Sequence, residues 1–308
     1  MKPKTQIAYF LFVAAAAACL SFAACARDGT GSSPTAVSVP ADGHVITVVT
    51  TIYPVTYFTQ RIAGDRAEVV GVVPQGIEAH DFEPKPSDLR AIQDASVVVY
   101  DHPEFESWMA DALKSAASDT TVVQAGGDGA SGESDPHVWQ DPVMAIEMVE
   151  RTRDGLIRAD PAGTMDFASN ADVLISELRS VEARFRAVLS ECRLNTFVVS
   201  HEAFGHMAAR YGLEQVGLAG LAPESESTAR QVADIVTRMK ELRIDTILVE
   251  PIASRRLAET VAAEAGASLV PMHPLETLTD SEVTGGEDYF SIMEKNLESL
   301  KVALDCSG

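Results

Sequence analysis

The chain has 308 residues, of which 46% are hydrophobic and 22% are charged, and its 45 acidic residues outnumber 24 basic ones to give a formal charge of −21. This composition is that of a globular chain with a packed core rather than a disordered or fibrous one. It argues against nucleic acid as a partner, because phosphate backbones repel so acidic a surface. A metal cation or a small cationic ligand stays compatible with it.

Residues 1–24 have the pattern of an export signal. Lys2 and Lys4 precede an apolar run from Ile7 to Leu20, and the segment contains no acidic residue. The apolar run is shorter than the ~20 residues that a membrane-spanning helix needs. We therefore predict a signal that is removed on export rather than a permanent anchor helix.

Cys25 is the candidate lipidation site. The small residues Ala23 and Ala24 precede it, in an arrangement that resembles a bacterial lipobox, although Phe22 stands where such signals usually have Leu. Secretion without a lipid is the alternative. Residues 25–43 are rich in Gly, Ser, Thr and Pro and predict a flexible tether. We expect an extracytoplasmic protein that is anchored to a bacterial membrane through Cys25.

From residue 45 onward, short β-branched runs alternate with amphipathic stretches. The strand-like runs of the first half are 45–51, 67–73, 96–100 and 121–124, and its helical patterns are 57–63, 86–93 and 104–115. The second half repeats the rhythm with strand-like runs at 196–200, 215–218, 246–250 and 268–271. Each run is too short for a helix and too apolar for an exposed strand, so the pattern predicts an α/β fold of two lobes with parallel-rich sheets.

A long helix is predicted between the two halves. Apolar residues recur at helical spacing from Phe167 to Leu189 without an internal Pro or Gly. The predicted organisation is therefore an N-terminal lobe at 44–164, one long rigid linking helix at 165–190 and a C-terminal lobe at 191–308. Each lobe is expected to be a small sheet flanked by helices.

Two cysteines, Cys192 and Cys306, lie in the body of the chain. In an oxidising compartment a single pair predicts one disulfide, which would tie the last residues to the start of the second half. Two unrelated buried thiols are the alternative, because the distance between them cannot be read from sequence.

Three of the seven histidines stand beside predicted strands. His80 follows the second strand-like run, His137 lies in the segment 135–142, and His201 directly follows the run that ends at residue 200. Ligands of open α/β sheets bind outside the carboxyl ends of strands, so these positions favour a shared site. Their separations are far too long for a local zinc motif. His44, His102 and His273 are expected to be ordinary surface or core residues. His206 is expected to lie on a helix surface, with a place beside a metal ligand as the alternative.

Five motifs occur along the chain in a characteristic order. They are Tyr53-Pro54, 76–84 (GIEAHDFEP), 135–142 (DPHVWQDP), 200–205 with 210–213, and 285–297 (GGEDYFSIMEKNL). Together they resemble the solute-binding lipoproteins of bacterial zinc and manganese ABC transporters, over nearly all of the mature chain. The resemblance implies two α/β lobes joined by a long helix, and a receptor that delivers a metal ion to a membrane permease.

The resemblance also implies a set of metal ligands. It assigns His80, His137 and His201 as the three imidazole ligands and adds a carboxylate late in the chain. Glu276, in the segment Pro274-Leu-Glu, is the first choice for that carboxylate, and Asp280 is the second.

Three further acidic residues lie near the candidate ligands in the sequence, namely Glu78, Asp81 and Asp141. Ligating imidazoles usually donate their other N–H to an oxygen, so these carboxylates are candidate partners of the histidine rings. Solvated loop acids are the alternative for each.

Zinc is the predicted metal. Three neutral imidazoles and one carboxylate suit a four-coordinate Zn²⁺, whereas Mn²⁺ prefers more oxygen ligands. The resemblance also bears on this position, because manganese-specific members of the resembled family have Glu where this chain has His201. We therefore expect Zn²⁺ rather than Mn²⁺ as the bound ion.

The sequence favours a monomeric binding protein over an enzyme. It contains no G-x-x-x-x-G-K-[ST] motif, so the energy for transport must come from another chain of the ABC transporter. One alternative is a secreted zinc hydrolase, whose metal would need an open position for water. The others are a Mn²⁺-specific binding protein and a surface adhesin, for which a lipid anchor and a tether would suffice.

Overall fold

The computed structural model describes residues 45–127, 135–223, 227–252 and 254–307. The predicted signal at 1–24, the tether at 25–43 and the candidate lipidation site Cys25 lie outside the described residues. Within the described ranges, none of the helices is both long enough and apolar enough to cross a membrane.

Four parallel strands of the described chain form the first sheet, in the order β2-β1-β3-β4. They are β1 (Ile46–Thr50), β2 (Ala67–Gly71), β3 (Val97–Tyr100) and β4 (Thr121–Gln124). In the register of this sheet, Val48 of β1 lies between Val69 and Val97. The β-branched run of β3 is buried throughout, as its lack of polar side chains predicts.

The second sheet repeats this topology in the order β6-β5-β7-β8. Its strands are β5 (Thr196–Val199), β6 (Glu214–Gly217), β7 (Thr246–Val249) and β8 (Ser268–Pro271), and their pairings are parallel. All eight predicted runs are therefore strands. The expectation that each was too apolar for an exposed strand is wrong at the edges, where Val70 of β2 and Val122 of β4 are 40% and 42% exposed.

Helices connect and flank the strands. They are α1 (Tyr53–Ala63), α2 (Pro86–Asp94), α3 (Met109–Ala112), α4 (Pro142–Ala159), α5 (Thr164–Leu189), α6 (Gly205–Tyr211), α7 (Ala229–Leu242), α8 (Arg256–Ala265), α9 (Asp280–Gly285) and α10 (Tyr289–Leu304). Three of them, α1, α2 and α4, begin with a proline in the first turn, where the missing N–H costs no hydrogen bond.

The long helix α5 runs for 26 residues between the two sheets. Its buried residues include Phe167 and Phe185, and they belong to one core cluster that also contains Val48 of the first sheet and Phe197 of the second. The predicted two-lobe α/β architecture with a long helix is thus confirmed, and both lobes share part of their core. The lobe boundaries at 44–164, 165–190 and 191–308 stay a prediction.

Cys192 and Cys306 form a disulfide across 114 positions of the chain. A β-bridge pairs the same two residues. The bond ties the segment after α10 to the segment after α5, so the C-terminal helix is held against the end of the long helix. The alternative of two unrelated buried thiols is wrong.

Candidate metal centre

The fold brings four residues from separate segments together. His80 lies in the loop between β2 and α2, and His137 directly precedes a short 3-10 turn at Val138–Gln140. His201 follows β5, and Glu276 lies between β8 and α9. One ligand atom from each of these side chains lies within 4.8 Å of the others, in an arrangement that can hold a metal ion. Both sheets therefore contribute to one site at the carboxyl ends of their strands.

Four of the six distances between the donor atoms match the edges of a small tetrahedron. Glu276 Oε1 lies 3.4 Å from the Nε2 atom of each of the three histidines, and the Nε2 atoms of His80 and His137 are also 3.4 Å apart. Ligands bound tetrahedrally to zinc at ~2.0–2.1 Å would be separated by about 3.3–3.4 Å. The side chains thus converge on a point with the dimensions of a four-coordinate metal site.

The site is largely withdrawn from solvent. The side chains of His137 and His201 are fully buried, Glu276 is 3% exposed, and His80 keeps the largest exposed fraction at 12%. The Phe105 ring packs 4.3 Å from the His80 ring, and Trp139 packs 5.3 Å from the His137 ring. Buried polar groups of this kind normally have a partner, and a cation would provide one for all four.

Two carboxylates orient the imidazoles from the outside. His137 Nδ1 donates to Asp135 Oδ1 at 2.8 Å, and His201 Nδ1 donates to Glu250 Oε1 at 2.7 Å. Each bond leaves Nε2 of the ring unprotonated when the imidazole is neutral, and it turns that atom toward Glu276. Asp135 also accepts the backbone N–H of His137 at 3.0 Å, which holds the backbone at the start of the segment 135–142 in place.

The charges of the centre depend on one another. Burial by itself would raise the pKa of Glu276, but the three imidazoles hold that pKa well below its ordinary range. Burial would likewise lower the pKa of His201, yet Glu250 and Glu276 raise it to about 10. The pKa of His137 is raised in the same way by Asp135 and Glu276. The metal-free centre therefore favours the protonated forms of His137 and His201, and a bound cation would replace those protons.

The model of the family described as "ZnuA: Zinc-uptake complex component A periplasmic" matches residues 48–303. The chain belongs to this family.

Two similar proteins illustrate the match. The chain is 36% identical over 302 residues to the zinc-binding protein AdcA of Streptococcus pyogenes, covering 89% of this chain and 58% of AdcA. It is 34% identical over 314 residues to the high-affinity zinc uptake system protein ZnuA of Bacillus subtilis, covering 96% of this chain and 97% of that relative. The chain thus spans little more than half the length of AdcA but nearly all of the ZnuA protein.

A solved structure shows the same fold. It is the Zn(II)-bound ZnuA-like domain of Streptococcus pneumoniae AdcA, which superimposes with a TM-score of 0.76 at 38% sequence identity. The match covers 84% of this chain and 99% of that domain. The fold of the family, two parallel sheets flanked by helices and joined by a long helix, is therefore the fold of this chain.

The acids expected to accept from the histidine rings have other surroundings. Asp141 is buried, but its carboxylate accepts from Val143 N at 2.9 Å and from Arg210 Nε at 2.8 Å, so it caps α4 and anchors α6 instead. Asp81 is exposed to solvent. Glu78 accepts the backbone N–H of His80 at 3.4 Å.

The second-choice ligand Asp280 is also separate from the cluster of four. It begins α9 with an exposed side chain, whereas Glu276 supplies the carboxylate oxygen among the described side chains that converge. The two acids differ in burial. Glu276 lies in the buried segment 272–278 that follows β8, whereas Asp280 lies beyond the end of that segment, on the surface.

Asp135 and Glu250 were missed by the sequence reasoning, although each left a signal. Asp135 begins the motif that contains His137, two positions before it. Glu250 directly follows β7, which pairs in parallel with the strand β5 that precedes His201. Neighbouring parallel strands end at the same edge of a sheet, so an acid in that position is a recognisable candidate partner.

Helix α6 holds the segment that carries His137. The ring of His206 donates from Nε2 to the carbonyl oxygen of Asp135 at 2.8 Å. The expected helix-surface position is therefore wrong, and the alternative, a place beside a ligand-holding residue, fits. A Cβ atom at Gly205 would lie 2.7 Å from Asp135 Oδ2, so a larger residue here would displace the carboxylate that holds His137. Trp139 Nε1 donates to the Pro274 carbonyl at 2.7 Å and links the same segment to the chain that leads to Glu276.

A second group of buried acids lies at the end of β3, beside Phe105 in the chain. Asp101 and Glu106 are both buried, and Glu106 Oε2 accepts from the backbone N–H groups of Asp101 and His102 at 2.8 and 3.1 Å. Both carboxylate oxygens of Asp101, Glu106 Oε1 and Thr51 Oγ1 have no hydrogen-bond partner among the described residues. Burial raises the pKa of Glu106 to about 7 and that of Asp101 well above its usual range, with Glu106 and Asp135 adding to the latter effect.

Proposed function

We propose that this protein is an extracytoplasmic receptor that captures Zn²⁺ between its two lobes and delivers it to the permease of an ABC transporter. The ligands are His80, His137, His201 and Glu276. The observation that carries the proposal is the set of 3.4 Å separations between Glu276 Oε1 and the three Nε2 atoms, since these are the distances that a tetrahedral zinc ion requires.

The donor set supports zinc as the cargo. Three imidazole nitrogens and one carboxylate oxygen suit Zn²⁺, whereas Mn²⁺ favours sites with more oxygen and more ligands. The names of the similar proteins agree with this choice, because AdcA is called zinc-binding, ZnuA of Bacillus subtilis is called a zinc uptake protein, and the solved domain holds Zn(II).

The same donor set supports a receptor rather than a zinc hydrolase. A catalytic zinc keeps one position for water or substrate, and here a fourth protein ligand takes that position. The ion is therefore cargo, held until it is passed to a partner. No catalytic step forms part of the proposal.

Delivery would take place at the outer face of a bacterial membrane. The signal at 1–24 would export the chain, a lipid on Cys25 would anchor it, and the tether at 25–43 would hold the lobes at 44–164 and 191–308 above the bilayer. The linking helix at 165–190 keeps the lobes together. A monomer suffices for this role, because all four ligands come from one chain.

Metal analysis of protein purified without chelators tests the proposal, followed by competition titrations with Zn²⁺ and Mn²⁺. We expect about one zinc ion per chain, a clear preference for Zn²⁺, and loss of zinc in Glu276→Ala. Asp280→Ala is the matched control, since it removes an exposed carboxylate four positions away. Tighter binding of Mn²⁺, or wild-type zinc affinity in Glu276→Ala, would contradict the proposal.

A further inference from the structure

A recess adjoins the metal centre on the side of Glu276. It is narrow, with a cavity volume of about 10 Å³, which is close to the room that one water molecule or one bare ion needs. The residues that line it include Glu78, Glu250, Ile252, His273, Glu276 and Thr277. The three imidazole ligands are not among the described residues that line it. We name this space the carboxylate recess. An ion that arrived through it would meet the carboxylate of Glu276 before any of the histidines.

Three carboxylates line the recess, and two of them, Glu250 and Glu276, also face the His201 ring. Glu78, Glu250 and Glu276 all face it, and no Lys or Arg occurs among its described lining residues. The ring of His273 is engaged elsewhere, because its Nδ1 accepts from Leu275 N at 2.8 Å and its Nε2 lies 3.3 Å from Glu282 Oε2. Carboxylates in a narrow space with walls of low dielectric constant concentrate their field and attract cations.

The positions of these carboxylates form a sequence from solvent to the buried centre. Glu78 is half-buried in the loop of the first lobe that leads to His80, whereas Glu250 and Glu276 of the second lobe are buried. Two oxygens hold this loop in place, because Gly76 N donates to Thr277 Oγ1 and to the Leu278 carbonyl, both at 2.9 Å. The loop that carries Glu78 is therefore held beside the recess.

A hydrated zinc ion has to lose its water before it reaches the imidazoles. Removing all of that water at once would leave an unpaired charge in a buried site, which is very costly. Carboxylate oxygens placed along the way can replace water one ligand at a time. The recess offers such oxygens in the order Glu78 and then Glu276.

We propose that the carboxylate recess is the route by which the metal ion enters and leaves the centre, with Glu78 as its transit ligand. This inference rests on the proposed zinc receptor function and adds a kinetic role for a residue outside the four ligands. A transit ligand lowers the barrier in both directions, so its loss slows binding and release together while the equilibrium affinity changes much less.

Stopped-flow kinetics on the full protein test the route, with zinc ion as the probe and an excess of chelator for the release step. In Glu78→Gln we expect both the association and the dissociation rate constants to fall about five- to tenfold, and Kd to change less than about threefold. Asp81→Asn is the matched control, because it removes one negative charge from the same loop on an exposed side chain. Equal association rates in the two variants would overturn the route, as would faster dissociation in Glu78→Gln.

A second pair of variants tests the recess without changing charge. Ile252→Phe would narrow the recess, and Ile77→Phe would enlarge an exposed side chain beside Glu78 that is not among the lining residues. We expect slower entry and release only in Ile252→Phe, and unchanged rates there would overturn the route. Zinc binding by the wild type at equilibrium separates the two failures, since a protein that binds no zinc contradicts the receptor function itself.

Discussion

Glu276 and the pair formed by Asp101 and Glu106 are all buried carboxyl groups, yet their pKa values move in opposite directions. The pKa of Glu276 lies well below its ordinary range, whereas that of Glu106 rises to about 7 and that of Asp101 lies well above its ordinary range. Burial raises the pKa in each case. The neighbours make the difference, because three imidazoles surround Glu276 and each acid of the pair faces another acid.

The comparison shows what burial of an acid can be used for. Glu276 stays ionised in a buried site because the imidazoles around it stabilise its negative charge. A bound cation can take over that role. No cationic partner of Asp101 or Glu106 is found within the described part of the chain, so the pair reduces its charge by retaining a proton. The first site is prepared for a metal ion and the second is not.

The largest effect is expected from removing the charge at Glu276. In Glu276→Gln, zinc affinity should fall by about a thousandfold or more, because a neutral amide replaces the anionic ligand in a buried site. Competition titration with a zinc indicator measures it. The matched variant Asp101→Asn should keep wild-type affinity within about twofold. Similar losses in both variants would remove the distinction between the two sites.

A pH titration of zinc binding should give the next largest effect. The pKa of His201 is about 10 without metal, so the ion must displace a proton at neutral pH. Affinity then weakens about tenfold per pH unit for each proton displaced, so the proton of His201 alone accounts for about a hundredfold between pH 7.5 and 5.5. Calorimetry in buffers of different ionisation enthalpy would measure the protons released. A flat profile would show that the imidazoles are not the ligands.

Loss of the carboxylate behind His201 should have a smaller effect. Glu250→Gln removes the acceptor that fixes the His201 ring and should weaken zinc binding about 10- to 100-fold. Glu202→Gln serves as the control, because Glu202 is adjacent to His201 in sequence but lines a separate groove near Gln231 and Arg238. Equal affinities of the two variants would contradict the role of Glu250.

The smallest effect concerns the stability of the pair at the end of β3. A carboxyl with a raised pKa binds its proton more tightly in the folded state, so the stability it contributes is greatest below about pH 4 and is lost as pH rises through about 7. Asp101→Asn supplies a permanent N–H donor to Glu106. It should raise the free energy of unfolding by about 1–2 kcal/mol at pH 7.5 and change it little at pH 4.

Urea denaturation of the metal-free protein at both pH values measures this change. Asp111→Asn is a suitable control, because Asp111 is an exposed acid on α3 with no burial cost to remove. A variant Asp101→Asn with the wild-type pH profile would mean that the pair holds no proton in the folded state.

Much of the fold could be predicted from local patterns. The eight strands are short β-branched runs, and the long helix follows from apolar spacing between Phe167 and Leu189 without a Pro or Gly. These patterns are reliable because a strand or helix forms from residues that are adjacent in the chain. The edge strands were the exception, since whether Val70 and Val122 have a neighbour depends on the order of strands in the sheet.

Sequence motifs were enough to predict the candidate ligands, but not the side chains that surround them. His80, His137, His201 and Glu276 stand in segments that resemble those of a known family, so their residue types and positions sufficed. Their partners Asp135 and Glu250 required knowledge of which oxygen lies 2.7–2.8 Å from which ring nitrogen. Proximity in sequence pointed instead to Asp141, which the fold uses to cap α4 and to hold Arg210.

The amino-acid sequence alone was enough for the eight strands, the long helix, the pairing expected of two cysteines and the residue types of a metal site. Only the tertiary structure decided which acids are ionised, which imidazole faces which carboxylate, and where a recess reaches the centre. The physical reason is range. Secondary structure depends on neighbours a few residues away in the chain. A pKa or a metal site depends instead on distances of a few ångströms between side chains that are far apart in the chain, as His80 and Glu276 are.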